Sequence, residues 1–160
     1  MTDQDLLAIY LNDHFAASTA GVELVRRAAE QHDGERGHEM ARLADDITAD
    51  REALRGIMKR LGVEESSVKA AAGWLAEKVG RLKTNGHLVS RSPLSDVLEL
   101  EALRAGTAAR IAGFQVLRAV AVKDTRLTQE EIETLLERAE DQATRLYRLH
   151  LQLAQENLAG

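Results

Sequence analysis

"GVEESSVKAAAGWLAEKVGRLKTNGHLVSRS", residues 62–92, is the stretch whose reading decides the fold. On each side of it lie two long helical stretches joined by a tight turn. Each long helix spans roughly 40–45 Å at 1.5 Å per residue. Within 62–92, the residues from "EESS" at 64–67 to Lys83 predict a short helix of about 24 Å, closed by "TNG" at 84–86. About nine further residues reach roughly 30 Å. The segment is therefore long enough to climb the length of a bundle, and a simpler up-down-up-down bundle would use short loops. A crossover between two helical hairpins is the expected topology, and an up-down-up-down bundle is the alternative.

The ends of the long helices are well marked. Thr2 with Asp5 resembles a capping box that opens a first helix running to about Gln31. "HDG" at 32–34 turns the chain, and its glycine permits a left-handed cap. The second helix runs from about Glu35 to Leu61 and stops at Gly62. Ser92 before Pro93 reads as an N-cap with proline at the first helical position, opening a helix to about Val122. After "KDTRL", Thr128 with Glu131 predicts another capping box and a last helix to about Leu158. No alternating strand pattern competes. The expectation is one all-α domain over 1–160, with hairpins at 3–61 and 93–158 and a crossover at 62–92.

The composition agrees. Hydrophobic residues make up 44% and aromatics only 3%, so the core is aliphatic. Pro93 is the only proline, which leaves the long helices unbroken. Cysteine is absent, which excludes disulfides, thiolate zinc sites and a cysteine nucleophile. No apolar run nears the roughly 20 residues that span a bilayer, and "MTDQDLLAIY" lacks the basic start of a signal peptide. A cytoplasmic protein without a membrane span is expected.

Two long hairpins with a crossover resemble the ferritin-like fold, a four-helix bundle. "EKVGRLKTNG" at 77–86 and "SPLSDVLELE" at 92–101 are also similar to a bacterial ferritin-like family without an assigned activity. In di-iron members of the superfamily, two helices each carry a Glu-x-x-His motif. This chain has one match, Glu35–Arg36–Gly37–His38, at the start of a helix beside a glycine. About one Asp/Glu-x-x-His match is expected by chance at this content of His and acidic residues. Three residues before His150 stands Tyr147, so the last helix holds no second copy. Oxidase or iron-storage activity does not carry over.

Helical position sorts the remaining polar residues. His14 falls in the apolar arc of Leu7, Tyr10, Val25 and Ala28, and Asp50 in that of Leu43, Ile47, Leu54 and Met58. Glu101 falls among Leu94, Val97, Ala105, Ala108 and Ala112, and His150 among Ile132, Leu136, Ala139 and Leu146. A buried charge without a partner is costly, so pairs are expected. Residues equally far from a hairpin turn share a level, which predicts His14 with Asp50 and Glu101 with His150. Under the crossover topology the two pairs stand roughly 15 Å apart, too far for one metal centre. Under the alternative topology all four converge. Two structural pairs and no cofactor are the primary reading. The other is a site of His14, Asp50, Glu101 and His150 for iron, manganese or zinc.

The crossover adds a basic strip. Residues 66–92 carry Lys69, Lys78, Arg81, Lys83 and Arg91 against Glu77, in a chain of net charge −5. Trp74 projects away from the apolar face of Val68, Ala72, Leu75, Val79 and Leu82. A large outward aromatic is characteristic of interfaces. Trp74, Lys78, Arg81, Lys83 and Arg91 form a candidate interface or anion site, against a solvated strip that offsets the acidic bundle. Nucleic acid is an unsuitable partner for an acidic chain with few aromatics. Two functions follow: a non-catalytic bundle acting through self-association or a helical protein partner, and a carboxylate/histidine metal protein with redox or metal-handling activity. The first is preferred, as a homo-oligomer or a partner-bound bundle.

Overall fold

The computed structural model describes residues 1–66 and 91–159. These residues form four α-helices: α1 (Asp3–Glu30), α2 (Gly34–Arg60), α3 (Pro93–Ala121) and α4 (Gln129–Leu158). Helix α1 packs against α2, and α3 against α4; α1 also faces α3, and α2 faces α4. No strand occurs among the described residues. The short helix expected over 64–83 lies outside them, apart from Glu64–Ser66, which are not helical.

The termini form as local chemistry dictates. The Asp5 amide donates to Thr2 Oγ1 at 3.2 Å, and the Thr2 amide donates to Asp5 Oδ2 at 2.7 Å, a complete capping box. Pro93 occupies the first turn of α3 behind Ser92. At α4 only half of the expected box forms. Thr128 Oγ1 accepts from the Glu131 amide at 3.3 Å, while the Glu131 carboxylate pairs with Arg60 at 2.5 Å. The end of α2 is a Schellman turn: the Val63 amide donates to the Met58 carbonyl and the Gly62 amide to the Lys59 carbonyl. Gly62 has φ +70°, so Gly62→Ala is expected to cost about 1 kcal/mol in urea unfolding. An unchanged midpoint would show that the turn tolerates a Cβ.

Side-chain contacts fix the helix directions. At one end, Gln4 and Arg126 both donate to the Leu61 carbonyl, at 2.8 and 3.2 Å. At the other, Asn157 donates to the Pro93 carbonyl at 2.9 Å, and Arg36 pairs with Glu156 at 2.6 Å. The first end thus gathers the start of α1, the end of α2 and the start of α4. The second gathers the start of α2, the start of α3 and the end of α4. Helices α2 and α3 therefore run in the same direction, and Leu61 and Pro93 stand at opposite ends of the bundle.

The core is divided in two. One cluster holds Leu11, Phe15, Ile57, Met58, Phe114, Leu117, Ile132 and Leu136. The other holds Val25, Ala28, Met40, Leu43, Ile47, Leu100, Leu146 and Leu153. Between them in helix position lie the buried polar residues Ser18, Asp50, Thr107, Arg110 and Gln142. This polar layer leads to the candidate site.

Candidate functional site

Asp50 on α2 is fully buried, and Arg110 on α3 is 9% exposed. Gln142 on α4 links them. Its Nε2 donates to Asp50 Oδ2 at 2.7 Å, and its Oε1 accepts a short hydrogen bond from Arg110 Nη2. Arg110 Nη2 also reaches Thr107 Oγ1 at 3.4 Å, while its Nε stands 3.8 Å from Asp50 Oδ2. Arg138, from α4, approaches Asp50 Oδ1 at 2.7 Å, though outside hydrogen-bond alignment. Burial pushes the Asp50 carboxyl above its ordinary range, against the Gln142 bond and the two guanidinium groups, which act to lower it. Burial likewise lowers Arg110, against the attraction of Asp50. The layer joins the first hairpin to the second through side chains of three helices.

A crevice of about 20 Å³ adjoins this layer and is lined by Tyr10, His14, Ser18, Asp50, Arg110 and Gly113, among others. That is room for about one water molecule, far below a small-molecule pocket. The His14 ring packs against Tyr10, with centroids 4.6 Å apart and ring planes tilted by 54°. It also covers Gly113, where an added Cβ would lie 2.9 Å from the imidazole. Glycine at 113 is thus a steric requirement of the histidine.

The expected pairs do not form. His14 and Asp50 border one crevice, but the Asp50 carboxylate turns to Gln142, Arg110 and Arg138. Equal distance from the turn gave the right level, but did not give the direction in which Asp50 points. Glu101 is exposed. His150 Nδ1 instead accepts from Arg104 Nη1 at 2.9 Å. The reason is a rotation of the α3 face. Its buried side runs through Val97, Leu100, Leu103, Thr107, Arg110, Phe114 and Leu117, while Leu94, Ala105, Ala108 and Ala112 face outward.

The donor set does not suit a metal. His14 stands at the level of the Leu11–Phe15 cluster and His150 at that of Leu146–Leu153. Asp50 already lies between two guanidinium groups, which oppose a cation. No group of three or more His, Cys, Asp or Glu side chains occurs in metal-binding range among the described residues. Of the basic strip, Trp74, Lys78, Arg81 and Lys83 lie outside the described residues. Arg91 does not offer a free anion site: it pairs with Asp96 at 2.5 Å and Glu99 at 2.8 Å.

Burial lowers the pKa of His14, with Asp13 opposing, and of His32, with Asp96 opposing. The folded protein therefore takes up these protons at lower pH than the unfolded chain does, near 6.5. Stability rises with pH wherever the unfolded state binds more protons. The melting temperature is expected to fall on acidification from pH 6.5 toward 5, and less so in His14→Gln/His32→Gln. An equal slope in that double variant would assign the protons to other groups.

A second feature lies on the surface of α3. Ala102, Ala105, Ala109, Ala112, Val116 and Ala119 are all exposed. Their alternating spacing of three and four residues is that of a heptad seam. Val116 is 40% exposed, and Val122 beyond the stripe is 69% exposed. Gly106, beside the stripe, has open space where a Cβ would stand. A glycine inside an exposed helix costs roughly 1 kcal/mol relative to alanine, and no packing among the described residues recovers it. Among the described residues, no helix is long and apolar enough to cross a membrane. Comparison with protein-family models, curated proteins and solved structures gives no match.

Proposed function

We propose that the chain is a non-catalytic ferritin-like bundle that acts by self-association through the outer face of α3. The observation that carries this reading is the heptad-spaced run from Ala102 to Ala119, exposed along its length. An α-helix with a second apolar stripe, opposite the one it buries in its own core, is built to meet another helix. The parallel course of α2 and α3, with Leu61 and Pro93 at opposite ends, supports the ferritin-like part of the reading. The polar layer belongs to the scaffold: its charges are engaged with one another, and the adjoining crevice has room for about one water.

Sedimentation of the full chain tests the reading. The expected mass is a multiple of 17.6 kDa, falling to 17.6 kDa in Ala109→Glu with helical circular dichroism unchanged. A wild-type chain sedimenting at 17.6 kDa would sink it. Metal analysis separates the rival reading. About one iron, manganese or zinc atom per chain, lost in His14→Ala/Asp50→Ala, would favour a metal protein instead.

A further inference from the structure

We infer that the partner on the α3 face is α3 of a second copy, running antiparallel about a two-fold axis near Ala109 and Ala112. The inference rests on the self-association reading and adds the geometry of the pairing. Between Ala102 and Ala119 the exposed residues are apolar except for Gln115 and Arg118, and Arg118 lies to the side, paired with Glu133 of α4 at 2.9 Å. The charges that flank the seam at its two ends are opposite in sign. Glu101 stands before the run and Lys123 after it, both exposed. A parallel pair would bring Glu101 against Glu101 and Lys123 against Lys123. An antiparallel pair that seats Ala109 on Ala112 of the second copy brings Ala102 opposite Ala119 and Ala105 opposite Val116. Glu101 then falls within about one turn of Lys123 of the second copy, and the two-fold repeats that contact at the other end. The surface is self-complementary in shape and in charge.

Small side chains set the closeness of the contact. Alanine at both kinds of seam position allows two helix axes to approach nearer than leucine seams do, as small-residue interfaces do. Gly106, with open space at its Cβ position, flanks the same seam. Its missing side chain is accounted for when a second backbone passes over it.

Charge reversal on the full chain tests the pairing, with sedimentation equilibrium as the readout. Glu101→Lys alone and Lys123→Glu alone are each expected to weaken the dimer roughly tenfold, since each sets like charges together at both ends. Glu101→Lys with Lys123→Glu is expected to restore wild-type association. Cysteine substitution at Gln115, spin-labelled, is expected to give a single short distance across the axis. If Ala109→Glu dissociates the wild-type dimer but the double reversal does not restore association, the α3 face remains the interface and the antiparallel pairing is overturned. If Ala109→Glu leaves the dimer intact, the interface reading falls and the pairing with it.

Discussion

Asp50→Ala is expected to destabilise the fold by about 3–5 kcal/mol, measured by urea unfolding. The loss does not come from the attraction between Asp50 and Arg110 taken alone. Removing the carboxylate leaves Arg110, 9% exposed, with a buried charge and only Gln142 and Thr107 for company. Gln142 Nε2 loses its acceptor in the same step. Arg138 is less affected, because its side chain is 39% exposed and can turn to water. The comparison is with a surface pair such as Arg118–Glu133, both ends about half exposed, whose removal costs about 0–1 kcal/mol. A loss under about 1 kcal/mol for Asp50→Ala would mean that water reaches the layer.

Asp50 also marks how far the sequence carries the argument. Its place on a buried helix face is legible from the spacing of Leu43, Ile47, Leu54 and Met58, all buried. Its need of partners follows from the cost of burial. The identity of those partners does not follow, because hairpin symmetry gives height along the bundle and says nothing of rotation about each helix. Gln142 was within reach: it falls on the face of Leu135, Ala139, Leu146, Leu149 and Leu153, all buried.

Arg110 was hidden by a different cause. Helix α3 carries two apolar stripes, and helical spacing alone favours the one richer in alanine as the core. Alanine is a weak guide, since it is small enough to be left in water at little cost. The larger residues Leu100, Leu103, Phe114 and Leu117 mark the buried side. Read by volume, that side includes Thr107 and Arg110, and Glu101 moves to the outside. The alanine-rich stripe is then the outer face of α3. Helix ends were legible because they depend on local chemistry at Thr2, Gly62 and Pro93.

Replacing the whole layer is expected to reverse the loss. Asp50→Leu, Arg110→Met and Gln142→Leu together should recover the 3–5 kcal/mol that Asp50→Ala loses, and end at or above wild-type stability. The triple change removes the buried charges and the amide at once, so no orphaned donor or acceptor remains among them. Leucine and methionine approximate the lost volumes, and methionine adapts to the irregular space beside Gly113. The two apolar clusters above and below would then merge into one continuous core. What the variant gives up is the specific linkage of the hairpins. In the wild type, Asp50 of the first hairpin meets Arg110 and Gln142 of the second at one level, and a slip along the bundle breaks every bond in the layer. An aliphatic layer has no such requirement. Raised stability with broadened or doubled amide signals by NMR is the expected signature of the triple variant. A triple variant as unstable as Asp50→Ala would show that packing at these positions, rather than charge satisfaction, holds the hairpins together.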